Sequence, residues 1–429
     1  MINTNIAVIG GGYVGLPLAI AFAKYYSVIC YDINNERIKE LKKGQDSNKQ
    51  HSKKEISQKK LNFTNDLELL KNKDVYIISV PTPINKSNQP SLQMLKHACQ
   101  IVGRVIKKKS IIIYESTTYP GCTEEVCIPL LEKNSNLQFG KDFMVAYSPE
   151  RVNPGDHIHT LQNITKIIGA NDLKTLNKTK KLYKKICKNT FSVKSIKIAE
   201  SAKVIENIQR DINIALVNEL SVLFHKLKIP TNEVLKAAAT KWNFHHYKPG
   251  LVGGHCISID PYYLAFKAQQ HNYSPKLILS GRKFNENMGK YIAIQTVKLM
   301  SAQKIKNKKA KVAIFGFSFK ENIPDFRNTK VIQIIKKLKD CNYKVEVFDN
   351  FVSSKDVKKE YGIEVKKINS AKKNSYDAII IAVAHSQFFK KLSYYDSLFK
   401  NKNKKILIDI KNIFLKKDLD KQKYNYFQL

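Results

Sequence analysis

The chain has 429 residues, more than one ordinary domain needs, so two or three separate cores are expected. It is 43% hydrophobic yet holds no uninterrupted apolar run long enough to span a bilayer, which argues against a helical membrane protein. The formal charge of +38 invites a nucleic-acid reading, but the lysines are spread along the whole chain among Asn and Ile. Tracts such as 178–185 and 402–405 read as solvated faces, and the positive field favours an anionic cofactor and substrate.

Residues 6–9 read as an apolar strand that starts almost at once, leaving no room for a signal peptide and predicting a cytoplasmic protein. A helix is predicted over 14–25 and a second strand over 28–31. Further strands are predicted over 75–80 and 110–114, with helical patterns between them. This alternation predicts a parallel sheet with helices on both faces. From 196 to about 228 the pattern becomes one long amphipathic helix, its apolar face marked by Ile205, Ile208, Ile212, Ala215, Leu216 and Leu223. Helices are predicted over 232–239, 261–270 and 287–303. The Lys-rich run 304–311 reads as a linker. A second α/β unit follows, with strands over 312–315, 344–348, 378–383 and 406–410 and a helix over 330–339. The expected fold class is α/β: two Rossmann-like parallel-sheet domains joined by a central helical region with one long helix. Its expected divisions are 1–195, 196–303 and 304–429.

Gly10-Gly11-Gly12-Tyr13-Val14-Gly15 fits G-x-G-x-x-G between a strand and a helix, with Asp32 at the end of the next strand. Gly10 makes the tight turn, Gly12 admits a pyrophosphate, and Gly15 lets helix and strand pack closely. Asp32 can take both ribose hydroxyls and would repel a 2′-phosphate, so NAD is expected rather than NADP. Arg37 is a mild counter-signal, but it lies one helical turn on and could stack on adenine. Pro81-Thr82-Pro83, Ser116-Thr117-Thr118 and Ser148-Pro149-Glu150 fall at or beyond strand ends, where ligands bind in open α/β sheets.

On the long helix, Lys203, Asn207 and Arg210 follow i, i+4, i+7 spacing, and a Lys ammonium with an Asn amide could hold an oxyanion. They could equally form a solvated face. The seven cysteines show no C-x-x-C pair and no zinc-like spacing, so reduced thiols and no metal are expected. Cys256 alone has a glycine-rich setting, behind Gly253-Gly254 and four residues before Asp260. That loop suits a nucleophile presented to substrate; it also fits a tight turn with a small packing cysteine and Asp260 as an ordinary helix cap.

Several further stretches stand beside these: YESTTYPG at 114–121, YSPERVNPGD at 147–156, AKVIENIQRDINIALVNEL at 202–220, KPGLVGGHCISIDPYYL at 248–264 and FKENIPDFRNTKV at 319–331. With GGGYVG at 10–15, they resemble the UDP-sugar 6-dehydrogenases of the UDP-glucose/GDP-mannose dehydrogenase superfamily, essentially end to end. The likeness is nearest to the branch acting on UDP-N-acetylglucosamine or UDP-N-acetylgalactosamine in bacterial surface polysaccharide synthesis, the Vi-antigen type. His255 before the cysteine and Ser-Ile-Asp after it differ from the UDP-glucose branch. Ser258 and Ile259 replace a more usual Gly and Val, Ser91 a usual Asp, and His245 and His246 stand where relatives are more apolar.

The resemblance implies an NAD-binding domain, a C-terminal UDP-binding domain and a homodimer through the central helix. It implies oxidation of the sugar C6 alcohol in two rounds with two NAD in turn, through a thiohemiacetal and a thioester on Cys256. Lys203 and Asn207 would stabilise the C6 oxygen and contact substrate. Asp260 would position water or assist the thiol, and Thr117 and Glu150 would orient water and assist hydrolysis. Arg151, Gly253 and Lys320 would contact the UDP-sugar. Tyr13, Val14, Thr82, Thr117 and Arg327 would contact NAD. Other readings are a UDP-glucose or UDP-N-acetylmannosamine dehydrogenase, a single-step hydroxyacid dehydrogenase, and a nucleic-acid-binding protein suggested only by charge.

Overall fold

The computed structural model describes residues 4–48, 50–152, 156, 158–305 and 310–429. Part of the expected linker, 306–309, and Asn153, Pro154 and Gly155 of the YSPERVNPGD stretch lie outside the described residues. The chain divides into two compact units. One holds 1–206 with 262–274, and the other 207–261 with 275–429.

The first unit is built on an eight-stranded sheet in the order β3-β2-β1-β4-β5-β6-β7-β8. Its strands are β1 (Asn5–Ile9), β2 (Ser27–Tyr31), β3 (Leu61–Thr64), β4 (Val75–Ile78), β5 (Ile111–Tyr114), β6 (Met144–Tyr147), β7 (Thr165–Ala170) and β8 (Asn189–Val193). All neighbours are parallel except β6 and β7. The runs VYII of β4 and IIIY of β5 are buried along their whole length, as helices on both faces require. Strand order reverses between β1 and β4, so a crevice opens beyond their carboxyl ends.

The second unit carries a six-stranded, all-parallel sheet in the order β11-β10-β9-β12-β13-β14. These are β9 (Lys311–Phe315), β10 (Lys344–Phe348), β11 (Val365–Lys366), β12 (Ala378–Ile381), β13 (Ile406–Asp409) and β14 (Asn425–Gln428). It repeats the local design of the first. Asp349 after β10 accepts from the Phe317 N–H at 2.7 Å, as Asp32 after β2 accepts from the Gly11 N–H at 2.8 Å. Here, however, Asp349 is buried against His385, 3.1 Å away.

The long helix forms over Ile196–Leu227. Its faces are not sorted as its apolar pattern suggests. Ile208 and Ala215 are buried, but Ile205, Leu216 and Leu223 are about half exposed, while Glu200, Asp211 and Asn218 are fully buried. The helix expected over 287–303 starts eleven residues earlier, spanning Lys276–Ala302. Asn285 and Gly289, inside this helix, serve packing. The Asn285 amide donates to Asp211, and a Cβ on Gly289 would lie 2.8 Å from Gln333 Cβ. No helix among the described residues is long and apolar enough to cross a membrane.

Candidate active site

In the first unit, the chain leaves β1 through Gly10 at φ +102°, a conformation open chiefly to glycine. A Cβ on Gly15 would sit 1.8 Å from the Gly10 carbonyl oxygen, so the helix Gly15–Ala23 rests directly on this turn. A Cβ on Gly12 would meet nothing within 4 Å. That open ground lies at a helix N-terminus whose cap residue, Val14, makes no side-chain cap bond. The positive end of the helix dipole there suits a pyrophosphate. Tyr13 and Val14 flank it, half-buried. The Asp32 carboxylate is fixed at the end of β2 by the Gly11 N–H at 2.8 Å and the Asn34 N–H at 2.9 Å. These residues fit NAD: glycine where a side chain would block the phosphates, and a carboxylate for the ribose.

Arg37 is folded into the loop. Its Nε donates to the Gly11 carbonyl at 2.9 Å, and its guanidinium pairs with Glu40 and with Asp46 at 2.9 Å. It is about nine-tenths buried and braces the backbone beside the phosphate ground.

The ends of β4 and β5 are equally constrained. Thr82 is buried, and its carbonyl accepts from Tyr263 Oη at 2.9 Å. Ser116 Oγ donates to the Val80 carbonyl at 2.7 Å, leaving Thr117 half-buried beside it. Buried Glu200 then gathers the following turn, accepting from Thr118 Oγ1 at 3.0 Å, the Gly121 N–H at 2.6 Å and Thr123 Oγ1 at 2.7 Å. Burial raises its carboxyl above the ordinary range despite those donors. Glu150 lies beyond β6, half-buried, and accepts from the Val152 N–H. Arg151 bonds the Thr165 carbonyl at 2.6 Å and pairs with Glu206 at 2.9 Å. Lys203 is buried on the long helix.

The second unit holds the cysteine loop. Cys256 is exposed, whereas Cys30, Cys99, Cys122, Cys127 and Cys187 are buried and Cys341 is half-buried; none forms a disulfide. Desolvation pushes the thiols of Cys30 and Cys187 up to about 12, which keeps them protonated and inert. The loop is shaped by close approach. Gly254 has φ +86°, and a Cβ there would lie 2.7 Å from the Phe319 ring. Gly253 stands equally tight, its would-be Cβ 2.9 Å from the Asn328 carbonyl oxygen.

Asp260 is the first residue of the helix Asp260–Gln270. Its own N–H already bonds the Cys256 carbonyl at 2.9 Å, and its carboxylate accepts from Asn207 Nδ2 at 2.5 Å. Both side chains are buried, so one residue of the long helix fixes the acid four positions after the cysteine. One turn further, Asp211 pairs with Arg282 at 2.5 Å, and Arg282 also reaches the Ile257 carbonyl at 3.4 Å. Arg210, by contrast, is exposed. Lys320 lies on the loop after β9, its carbonyl bonded by Ser318 Oγ at 2.8 Å. Arg327 is turned onto Asp325 at 2.6 Å.

The structure thus gathers Gly10, Gly12, Gly15, Asp32 and Arg37 in one unit, and Asn207, Gly253, Cys256 and Asp260 in the other. Sequence reasoning missed Glu115, Lys166, Glu200, Asp211 and Arg282. Each is a charged residue fully buried with a partner, and the available signal was a lone charge inside an apolar stretch, such as Lys166 in TKIIGA.

Three family models match the chain. They are the NAD binding domain (4–187), central domain (197–287) and UDP binding domain (313–416) of the UDP-glucose/GDP-mannose dehydrogenase family. The chain is 47% identical over 413 residues to the UDP-N-acetyl-D-glucosamine 6-dehydrogenase of Salmonella typhi, covering 96% of each. It is 48% identical over 390 residues to the enzyme of the same name from Pseudomonas aeruginosa, covering 90% of this chain and 92% of that one. Among solved structures, it superposes on the UDP-D-ManNAc dehydrogenase of Pyrococcus horikoshii with a TM-score of 0.89 at 31% identity, covering 99% of both chains.

Proposed function

The chain belongs to the UDP-glucose/GDP-mannose dehydrogenase family, an NAD-dependent family, and from that premise we propose that it oxidises the C6 alcohol of a UDP-N-acetylhexosamine to the uronate. The sugar is UDP-N-acetylglucosamine or UDP-N-acetylgalactosamine, and the product serves surface polysaccharide synthesis in the cytoplasm. The observation that carries the reading is Cys256, exposed where the other six cysteines are buried or half-buried, in a loop that two glycines and Asn207–Asp260 hold in place. In the domain assignment we propose, 1–195 binds NAD, 196–303 carries the cysteine and the dimer contact, and 304–429 binds UDP.

NAD held by Gly10, Gly12, Gly15 and Asp32 would supply the hydride acceptor for each of two rounds of oxidation at C6. In the first, the hydroxyl gives up its proton and an aldehyde forms. The Cys256 thiolate adds to that carbonyl to give a thiohemiacetal, whose oxygen Lys203 and Asn207 stabilise. Loss of the second hydride leaves a thioester. Water oriented by Thr117, Glu150 and Asp260 attacks it, the C–S bond breaks, and carboxylate and thiol are released. In balance, one alcohol and one water give one carboxylate, two hydrides and three protons. Covalent capture explains why a nucleophile is present at all: it retains the aldehyde and makes the second hydride transfer possible.

A panel of UDP-sugars assayed by NADH formation tests the substrate. UDP-N-acetylglucosamine or UDP-N-acetylgalactosamine should be turned over with the highest kcat/KM. A higher value for UDP-glucose or UDP-N-acetylmannosamine would overturn the assignment.

The long helix supports a homodimer. Ile205, Leu216 and Leu223 fall on one stripe at spacings of 11 and 7 residues, and each is about half exposed. Sedimentation should give twice the chain mass, and Leu216→Glu should halve it. An unchanged mass for that variant would place the contact elsewhere.

A further inference from the structure

Behind the strand ends of the first unit lies a cluster that no step above uses. Glu115, the residue after β5, and Lys166, on β7, are fully buried, with Lys166 Nζ 2.5 Å from Glu115 Oε2. Tyr183 Oη donates to the other carboxylate oxygen, and Lys166 Nζ lies 5.3 Å from the Tyr183 ring centroid. The ammonium has two further acceptors, the carbonyls of Pro149 at 2.8 Å and Ser148 at 3.4 Å. Those are the two residues that carry the chain from β6 to Glu150. From the adjoining residue of β7, the Thr165 carbonyl takes Arg151 Nη1 at 2.6 Å. The segment 148–151 is therefore clamped to the start of β7 on both sides of Glu150.

We propose that the Glu115–Lys166–Tyr183 cluster is a positioning device for Glu150 and sets the rate of thioester hydrolysis. A fully buried ion pair is weak evidence for stability, because desolvation offsets much of its attraction, whereas its geometry fixes whatever else it bonds. Burial pushes the Glu115 carboxyl up to about 7 even with Lys166 beside it, so the pair is held under strong desolvation. Lys166 spends its remaining donors on backbone, and the backbone it fixes is that of Ser148 and Pro149. A carboxylate that must direct water at a thioester depends on such placement, since a shift of about 1 Å can slow a step about 100-fold.

The inference rests on the role of Glu150 given above, and the test separates the two. The full chain is mixed with NAD and UDP-N-acetylglucosamine, or with whichever panel sugar is turned over. Rapid mixing follows NADH, and intact mass follows the acyl adduct on Cys256. The double variant Glu115→Gln/Lys166→Met, which removes both charges, should keep NAD affinity and the rate of the two hydride transfers. Its adduct should decay about 10- to 100-fold more slowly. Lys166→Arg should recover part of the loss, and Tyr183→Phe, a mild change in case the double variant does not fold, should slow decay a few-fold. Decay at the wild-type rate in Tyr183→Phe and in the folded double variant would overturn the inference. So would an equal fall in hydride transfer and decay, which is what general loosening of the unit would give. If Glu150→Gln itself accumulates no adduct, the reading of Glu150 fails and the inference falls with it.

Discussion

Cys256→Ala should abolish uronate formation, lowering kcat on the order of 10⁴-fold or more, the scale of losing a covalent nucleophile. Binding of NAD and of the UDP-sugar should survive, because the side chain is exposed and the glycines that shape its loop are untouched. Cys256→Ser should also lose net turnover, since serine captures aldehyde poorly and an ester hydrolyses more slowly than a thioester. The same change at Cys30 or Cys187 should act on stability instead. Both are buried in the core of the first unit with thiols held protonated. Titration calorimetry for binding and NADH formation for turnover check the contrast. Near-normal turnover in Cys256→Ala would make this cysteine a packing residue.

Gly15→Ala should remove NAD binding. The added Cβ would fall 1.8 Å from the Gly10 carbonyl oxygen and 2.4 Å from Ser79 Oγ, and the first of these is backbone that cannot rotate away. The helix N-terminus must move off the turn, at an overpacking cost of about 1–3 kcal/mol. The phosphate ground moves with it. Asp32→Ala should act more mildly, raising KM for NAD about 10- to 100-fold, the equivalent of charge-assisted hydrogen bonds worth about 1.5–3 kcal/mol. It should also erase discrimination against NADP, since the carboxylate that repels a 2′-phosphate is gone. Steady-state kinetics with both cofactors check this. Equal use of NADP by the unaltered protein would contradict the assignment of Asp32.

The dinucleotide loop was legible because its constraints are local: Gly10 and Gly15 are glycine for reasons lying within a few residues of each. The cysteine loop was legible from its Gly-Gly pair beside a cysteine, although the groups those glycines approach, Phe319 and Asn328, lie far along the chain. Periodicity revealed the long helix but not which side is covered. Glu200, Asp211 and Asn218 are buried because each has found partners, Asn218 with Gly250 and Asn285, and pairing across many residues leaves no local trace. Strands β6, β7 and β8 were not picked out. β7 carries Lys166 in its interior, and its parallel pairing with β8 comes after an antiparallel step that a simple alternation of strand and helix does not foresee. The helix Lys276–Ala302 starts eleven residues before the expected 287, and Asn285 and Gly289 lie inside it, fixed by partners on other elements.

The count of NADH formed per UDP-sugar consumed, with the product's mass read from the same reaction, tests the four-electron mechanism most directly. The proposed chemistry at Cys256 predicts a ratio of two to one, a carboxylate at C6 and little free aldehyde. A ratio of one to one with released aldehyde would contradict it.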